Sequence, residues 1–551
     1  MNRFWLKNYP EGIPHDIDAN QYSSIPDVLK QSIRDYPQHI AFSNFGTTLS
    51  FTELGEQSAQ FAAYCQKELG LSKGDAVAIM LPNILQYPIA LFGAQRAGLT
   101  VVNVDPMYTA RELKHQLIDS GAKALVFLEN FAATVEKVVD ETQVQHLVRT
   151  QVGDRLDFPK SFLINAVLKY VKKMVPKHGL VQAVPFNDAL TKGGTHSLEE
   201  VNLEHSDVAF LQYTGGTTGV SKGAILTHGN LVSNMLQANA WASTVLKRGQ
   251  ERMITALPLY HIFSLTANCL FMMSIGGENI LITNPRDFAG FIKILKKEKF
   301  QAITGVNTLY RKMLDTPGFD EIDFSNLKIS FAGGMAVTLD VAEDWKKVTG
   351  CTVVEAYGLT ETSPAACINP LDLKEYNGMI GLPISSTYVK IIDPDGNDLG
   401  IDEAGELCIK GPQVTQGYWN LPELKDTTFT QDGYFRTGDI AQINDEGYVK
   451  ILDRMKDMIL VSGFNVYPNE IEDVLSHHTK IVEAAAIGID DETQGQAVKV
   501  FIVKSEPSLT EDEVRSYCKE NFTGYKRPKE IEFMDELPKS NVGKILRKEL
   551  R

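Results

Sequence analysis

The chain has 551 residues, of which 43% are hydrophobic and 22% charged, and its formal net charge is −15. This length is more than one hydrophobic core supports, so we expect at least two domains. The negative charge argues against nucleic acid as a partner, because a surface that binds phosphate backbones needs clustered cations.

The cysteines and the N-terminus exclude further classes of protein. The six cysteines are scattered and include no CxxC pair, which argues against a zinc site or a disulfide framework. The first residues lack the apolar stretch of a secretory signal. No run approaches the roughly 18 apolar residues that span a bilayer. A cytoplasmic protein is therefore the default expectation.

The first part of the chain alternates helical and extended patterns. Helices are predicted near residues 51–69, 84–97 and 110–120, and short apolar strands near 75–81, 100–104 and 122–127. The same rhythm returns between Asn230 and Val354. Helices that alternate with short β-branched runs are typical of layered α/β folds with largely parallel sheets.

The segment Phe158–Lys177 has the pattern of a basic amphipathic helix. Its apolar face at helical spacing consists of Phe162, Leu163, Ala166, Val167, Tyr170, Val171 and Met174. Asn165, Lys169, Lys172 and Lys173 fall on the opposite face. Such a helix either lies in a membrane interface or packs on its own domain, and packing is the commoner outcome.

Strand-like Asp207–Gln212 runs into a loop rich in glycine and hydroxyl side chains. The loop consists of Tyr213, Thr214, Gly215, Gly216, Thr217, Thr218, Gly219, Val220, Ser221, Lys222, Gly223 and Ala224. Glycines let the backbone approach a ligand, and hydroxyls, amides and a lysine donate to phosphate oxygens. Lys222 stands between serine and glycine, so this is not a Walker A motif. The extended Ala224–Thr227 predicts a phosphate-binding loop between two strands.

Helices give way to short strands after about residue 380, and this change predicts a β-rich subdomain at about 380–452. A charged stretch at 453–458 marks a boundary, and a small α+β pattern follows it. We therefore expect an N-terminal domain of layered α/β sheets at 1–452, a hinge at 453–458 and a mobile α+β C-terminal domain at 459–551.

Eight motifs together resemble the adenylate-forming superfamily of acyl-CoA synthetases, peptide-synthetase adenylation domains and luciferases. Besides the phosphate loop they are LPLYH (Leu257–His261), AGGM (Ala332–Met335), EAYGLTET (Glu355–Thr362), RTGD (Arg436–Asp439), DRMKDMI (Asp453–Ile459), SGFNVYPNEIE (Ser462–Glu472) and PKSNVGKI (Pro538–Ile545). The run Asp432–Glu472 is similar to the signature of bacterial long-chain fatty-acyl-CoA ligases. The resemblance implies an enzyme that joins a long-chain fatty acid to AMP from ATP, releases pyrophosphate and passes the acyl group to CoA.

The resemblance also implies roles for single residues. Lys544 would reach the ATP α-phosphate and the carboxylate. Glu361 and Thr214 would hold Mg²⁺, and His261 would gate the acyl pocket. Residues implied to bind ATP or AMP, in addition to the whole phosphate loop, are Gly334, Met335, Tyr357, Gly358, Thr360, Asp439 and Arg454. Lys456 is implied to be the hinge, and Gly463, Phe464 and Lys526 are implied to bind CoA.

The sequence leaves several alternatives open. The chain could be a ligase for medium-chain or aryl carboxylic acids, or a non-catalytic relative that binds nucleotide or lipid. Acyl chain length, homodimer formation and peripheral attachment of Phe158–Lys177 to the inner face of the cytoplasmic membrane are undecided. Some long-chain relatives carry a tryptophan gate near the position of Leu265, and this chain does not.

Overall fold

The computed structural model describes residues 3–214, 221–491, 493–540 and 543–551. Helix α1 (Ile25–Asp35) precedes two paired antiparallel strands, β1 (Ile40–Asn44) and β2 (Thr47–Ser50), and helix α2 (Phe51–Lys67) follows them. These two strands form one edge of a nine-stranded sheet, whose other strands come later in the chain.

A seven-stranded sheet forms first. Its strands are β3 (Ala76–Met80), β4 (Thr100–Asn103), β5 (Ala124–Leu128), β6 (His146–Thr150), β7 (Val184–Pro185), β8 (Val208–Thr214) and β9 (Lys222–Thr227). The helices in this part are α3 (Gln86–Arg96), α4 (Ala110–Ser120), α5 (Ala132–Glu136), α6 (Lys160–Ala166) and α7 (Phe186–Gly193). The order β7-β6-β5-β3-β4-β8-β9 is parallel except for the last pair. Every residue of β3 is buried, as expected for a parallel strand covered on both faces.

The nine-stranded sheet has the order β16-β15-β14-β13-β12-β10-β11-β1-β2. Its later strands are β10 (Arg252–Thr255), β11 (Glu278–Leu281), β12 (Ala302–Gly305), β13 (Ile329–Ala332), β14 (Val353–Gly358), β15 (Ala365–Ile368) and β16 (Leu382–Pro383). The helices here are α8 (His228–Ala242), α9 (Ile262–Ser264), α10 (Phe271–Ser274), α11 (Phe288–Leu295), α12 (Asn307–Leu314) and α13 (Leu339–Thr349). A π-helix, Leu265–Leu270, joins α9 to α10.

The remaining strands form two smaller sheets. An antiparallel four-stranded sheet contains β17 (Tyr388–Ile392), β18 (Gly405–Lys410), β19 (Phe435–Ile443) and β20 (Val449–Arg454), with α14 (Lys425–Thr428). A five-stranded sheet contains β21 (Ile459–Val461), β22 (Phe464–Val466), β23 (Ile481–Asp491), β24 (Gly495–Lys504) and β25 (Glu530–Met534), with α15 (Pro468–Ser476) and α16 (Glu511–Asn521). We call residues 459–551, which bury their own apolar cluster, the small unit.

The predicted fold class is confirmed, and local signals explain why the elements begin and end where they do. Helix α4 begins with a capping box in which Thr109 and Glu112 satisfy each other's backbone N–H groups. It ends at Gly121, whose φ of 65° suits a residue without a side chain. The predicted strand–loop–strand around the phosphate loop is also confirmed, because β8 and β9 pair antiparallel.

The segment Phe158–Lys177 forms α6 and a π-helix at Val167–Val171, and Asn165, predicted to lie opposite the apolar face, contacts the rest of the protein. The Asn165 side chain points inward, where it accepts from the Gly153 N–H at 2.7 Å and donates to Asp154 at 3.0 Å. The predicted apolar face is instead exposed, with Tyr170 at 72%. Amphipathic spacing predicts two faces but does not say which one meets the protein. Among the described helices, none is long and apolar enough to cross a membrane.

Candidate active site

Asp439 and Tyr357 form a polar corner between the nine-stranded and four-stranded sheets. Tyr357 lies on β14 and donates its hydroxyl to Asp439 Oδ2 at 2.5 Å. Asp439, on β19, is 2% exposed. Its Oδ1 lies 3.0 Å from the Arg454 guanidinium, yet it accepts no hydrogen bond from any described residue. A buried carboxylate oxygen with spare acceptor capacity fits a pair of ligand hydroxyl groups.

Glu361 lies in a short 3₁₀ turn, Thr360–Thr362, that follows β14. The Tyr418 hydroxyl donates to Glu361 Oε1 at 2.7 Å. The Lys222 ammonium lies 5.3 Å from the centre of the Tyr418 ring, within range of a cation–π interaction. Burial raises the pKa of Glu361, although the bond from Tyr418 opposes the shift. A buried carboxylate of this kind is stabilised as an anion when a cation binds beside it.

The two ends of the phosphate loop are held by the β8–β9 ladder, in which Thr214 pairs with Lys222. The ring of Tyr213 fills the space beside Gly223, where an added methyl group would lie 3.1 Å from it. Ser221 and Ala224 complete the described part of the predicted loop. The predicted residues Gly215, Gly216, Thr217, Thr218, Gly219 and Val220 lie outside the described residues.

The AGGM and EAYGLTET motifs meet because β13 and β14 are neighbours in the nine-stranded sheet. Gly334 has a φ of 80°, which favours glycine, and Met335 packs at the edge of the adjacent apolar cluster. Gly358 is closely packed, since an added methyl group would lie 1.8 Å from the Pro364 carbonyl oxygen. The motifs thus bring their predicted nucleotide residues to one end of the sheet.

Lys544 comes from the small unit and reaches the same corner. Burial, together with the charges of Arg454 and Lys456, lowers the pKa of Lys544 to about 8, while the Asp439 carboxylate acts in the opposite sense. Its neighbour Gly543, with a φ of 81°, lies against α12, because an added methyl group would be 2.4 Å from the Thr308 hydroxyl. The structure therefore brings Lys544 to residues that precede it by about a hundred positions.

His261 stands at the start of α9, where its Nδ1 accepts from the Phe263 N–H at 3.3 Å. Burial lowers the pKa of His261 to about 4, and the charge of Lys544 acts in the same sense, so the ring is neutral near pH 7. Phe263 packs beside Gly333, whereas Leu265 is fully buried in the core. Phe263 is therefore the large apolar side chain of α9 that borders this corner.

The sequence and the fold of the chain are similar to those of known enzymes. The family model "AMP-binding enzyme" matches residues 29–419, and "AMP-binding enzyme C-terminal domain" matches residues 470–544. The chain belongs to the AMP-binding enzyme family. It is 52% identical to a long-chain-fatty-acid–CoA ligase of Escherichia coli O157:H7 and 53% identical to one of Yersinia pestis, each over 100% of this chain and 98% of the relative. ATP-bound MatB from Rhodopseudomonas palustris has a similar structure, with a TM-score of 0.82, 26% identity and coverage of 96% and 98% of the two chains.

Three residues predicted to bind CoA group on the small unit of this AMP-binding enzyme. Phe464, next to Gly463, is 55% exposed and stacks on Tyr525, with the ring centres 4.7 Å apart. Lys526 pairs with Glu470 at 2.5 Å. The predicted ligands are thus neighbours, but in this structure the Lys526 charge is engaged by a carboxylate of its own unit.

Two contacts that connect the motifs of this family member were missed by sequence reasoning. Tyr418 reaches Glu361 because Gly417 and Trp419 bond the backbone of β9. Asp453 accepts from the Asn469 N–H at 2.7 Å and so joins β20 to α15. The adjacent aromatic residues Tyr418 and Trp419, between the EAYGLTET and RTGD motifs, were the available signal for the first contact. For the second contact, Asp453 already stood in the DRMKDMI motif.

Proposed function

We propose that the protein is a long-chain-fatty-acid–CoA ligase that works in two steps. First, a fatty-acid carboxylate oxygen attacks the α-phosphorus of ATP, and the bond to pyrophosphate breaks. Second, the CoA sulfur attacks the acyl carbon, the bond to AMP breaks and the thiol proton is lost. The observation that carries this proposal is that Lys544 of the small unit lies near enough to the buried Asp439 for their charges to interact, supported by full-length relatives at about 52% identity.

Each polar group at the corner has a place in this reaction. The spare acceptor of Asp439 suits the ribose hydroxyls, and Tyr357 and Arg454 fix that carboxylate. The Lys544 ammonium would stabilise the negative charge that spreads over the α-phosphate during attack. The neutral His261 borders the space in which carboxylate and thiol would approach.

Mg²⁺ is the metal that this chemistry requires, and two predicted residues fit it. Mg²⁺ takes hard oxygen ligands and usually binds through one or two protein groups together with substrate phosphates. Glu361 would supply a carboxylate whose pKa is raised by burial, and Thr214 would supply a hydroxyl at the start of the phosphate loop. When bound, the ion would neutralise phosphate charge during the transfer.

The second step requires Lys544 to give way to CoA, and we propose that the small unit turns about Lys456 to achieve this. Lys456 lies between β20 and β21, so rotation there would move Lys544 and the CoA-binding loop together. Such a motion would carry Gly463 and Phe464 toward the adenylate. We expect Lys456→Pro to slow thioester formation more than adenylation; equal losses in the two steps would contradict this hinge.

A pyrophosphate-release panel over short, medium, long-chain and aromatic acids tests the proposed function. We expect release that depends on the acid and is fastest with long-chain fatty acids, followed by acyl-CoA formation when CoA is added. Pyrophosphate release only with aryl or medium-chain acids would show that those acids, and not long-chain fatty acids, are the substrates. No release with any acid would support a non-catalytic nucleotide- or lipid-binding protein.

We further propose that residues 158–177 attach the enzyme to an anionic membrane surface. Apolar side chains are exposed along this segment, among them Phe162 at 68%, Tyr170 at 72% and Val171 at 73%. The region 158–177 holds five lysines and no acidic residue in a chain whose net charge is −15. Phe45 extends the patch, because it is exposed and its carbonyl accepts from Lys160 at 3.2 Å. Apolar anchors with surrounding lysines are the pattern of interfacial binding.

Co-sedimentation with vesicles tests this attachment. Wild-type protein is expected to sediment with phosphatidylglycerol vesicles and much less with phosphatidylcholine vesicles. A variant with Phe162→Ser and Tyr170→Ser should lose most of this binding and keep pyrophosphate release in detergent-solubilised fatty acid. The matched control is Ile401→Ser, which removes an exposed apolar side chain elsewhere. If the double variant and the control bind vesicles equally, the segment is not the attachment site.

A further inference from the structure

One residue outside the motifs touches both sides of the phosphate site, mainly through its carboxylate on one side and its backbone carbonyl on the other. Asp119 lies in the last turn of α4. The Tyr213 hydroxyl donates to Asp119 Oδ2 at 2.5 Å. On its other side, Trp419 Nε1 and Asn420 Nδ2 donate to the Asp119 carbonyl oxygen at 3.1 and 3.0 Å, and Asn420 also reaches Oδ1 at 3.4 Å. One residue thus joins the strand before the phosphate loop to a distant loop.

The first of these links reaches the start of the phosphate loop. Tyr213 immediately precedes Thr214, and its ring packs against Gly223 on the returning strand. A hydroxyl that donates to a carboxylate makes a strong, charge-assisted bond. Burial and the Asp119 charge raise the pKa of Tyr213, so its hydroxyl keeps the proton that it donates. The position of this ring therefore depends on Asp119.

The second link reaches the groups that surround Glu361. Trp419 and Asn420 follow Tyr418 directly, and the Tyr418 hydroxyl donates to Glu361 at 2.7 Å. The Trp419 N–H also donates to the Gly223 carbonyl at 2.8 Å. Tyr418 is therefore held between Lys222, which lies over its ring, and Glu361, which accepts its hydroxyl.

The location of Asp119 argues that it serves more than its own helix. A carboxylate in the last turn of a helix meets the negative end of the helix dipole, where basic residues are favoured. Asp119 stands in that turn of α4, which contains no basic residue. Its carboxylate accepts from Tyr213 on β8, whereas Trp419 and Asn420 donate mainly to its backbone carbonyl. The bond from Tyr213 therefore supplies the reason for an acidic residue here.

We propose that Asp119 is a positioning residue that sets the spacing between the phosphate-loop lysine, Lys222, and the Glu361 carboxylate. It touches neither nucleotide nor metal in the proposed function, on which this inference rests. It acts through Tyr213 on one side and through residues 418–420 on the other. Its effect is confined to the step that uses the β- and γ-phosphates.

The test separates the two half-reactions. Asp119→Ala is expected to raise KM for ATP in pyrophosphate release by about tenfold, since the charge-assisted hydrogen bond from Tyr213 is lost while the bonds to the Asp119 backbone carbonyl remain. Thioester formation from a supplied acyl-adenylate, which carries no β- or γ-phosphate, should stay within about twofold of wild type. Asp119→Asn retains an oxygen that accepts from Tyr213, so it should restore most of the ATP affinity. Asp140→Ala, at an exposed carboxylate, is the matched control.

A second variant keeps the inference falsifiable if Asp119→Ala does not fold. Tyr213→Phe removes only the hydroxyl, and we expect it to raise KM for ATP about threefold. Combining it with Asp119→Asn should add little, because both changes act on one hydrogen bond. An unchanged KM for ATP in Tyr213→Phe, or an equal loss of ATP and acyl-adenylate turnover in Asp119→Ala, would overturn the proposal. If wild type releases no pyrophosphate with any acid, the proposed function fails instead, and calorimetric ATP binding by the same variants then tests Asp119.

Discussion

Asp439 and Lys544 meet at one corner, but different parts of the molecule hold them. Asp439 is fixed inside the larger part of the chain, where Tyr357 donates to its carboxylate and Thr437 accepts from its N–H at 3.0 Å. The loop of Lys544 is fixed within the small unit. There Lys539 pairs with Glu483, at 2.6 Å.

The segment around Lys544 is held mainly by ion pairs and hydrogen bonds of the small unit itself, and its contact with the larger part is close packing. Arg547 pairs with Glu472 at 2.7 Å and donates to Asn469 at 2.8 Å, all within the small unit. Gly543 touches the larger part at Thr308 through close packing. In the proposed mechanism, Asp439 would serve every step in which AMP is bound, whereas Lys544 would serve only one pose of the small unit. The two kinds of residue should therefore have separable effects on the half-reactions.

The largest effect is expected from Lys544→Ala. Loss of one cation at the developing charge removes about 2.7–4 kcal/mol of transition-state stabilisation, roughly a 10²- to 10³-fold fall in adenylation. Thioester formation from a supplied acyl-adenylate should change little, because Lys544 would have left the site in the proposed second pose. Stopped-flow pyrophosphate release and CoA consumption measure the two steps. Lys548→Ala, at an exposed lysine of the same tail, is the control. Equal losses of adenylation and thioester formation in Lys544→Ala would contradict a role for Lys544 in one step only.

Asp439→Asn should instead lower both half-reactions. An amide keeps one acceptor but loses the charge, and a hydrogen bond to a charged group contributes about 1.5–3 kcal/mol. We expect AMP affinity, measured by calorimetry, and both rates at subsaturating substrate to fall roughly tenfold or more. The exposed Asp395→Asn serves as the control. If only adenylation responds, Asp439 does not bind the nucleotide in both poses.

Sequence patterns predicted most of the fold because each signal was local. Helix α4 was predicted at 110–120 and found there, since its capping box and terminal glycine both lie within a few residues of its ends. The apolar β3 and the strand–loop–strand at the phosphate site were likewise read from neighbouring residues. Which face of residues 158–177 meets the protein stayed open, because the partner of Asn165, Asp154, lies outside the helix.

The site was predicted only where a motif carried it. Asp439, Tyr357 and Lys544 stand in motifs, and the structure brings them together. Tyr418 and Thr308 were missed, because their roles arise from pairing with β9 and from packing against Gly543, both distant in sequence. Sheet topology decides such contacts, and no local pattern encodes it.

Gly543→Ala tests how closely the lysine loop must fit the larger part. A residue with a side chain is strained by roughly 1–2 kcal/mol at this left-handed backbone conformation, and its methyl group would lie 2.4 Å from the Thr308 hydroxyl. We expect adenylation to fall about tenfold while thioester formation is preserved. Adding Thr308→Ala should recover part of the loss. Gly524→Ala, at a glycine with open space around it, should be neutral, and a similar loss there would mean that the small unit itself is destabilised.

The smallest effect is expected from pH and needs no substitution. The pKa of Lys544 is lowered to about 8, chiefly by burial, and its cation is the form that would stabilise the α-phosphate in the proposed function. That cation is present below the pKa and lost above it, so kcat/KM for adenylation should fall about fourfold between pH 7 and pH 8.5. The residual adenylation of Lys544→Ala should lack this fall. If Lys544→Ala and the wild type show the same pH dependence of adenylation, the fall in kcat/KM comes from another titrating group. Lys544 then stays charged between pH 7 and pH 8.5.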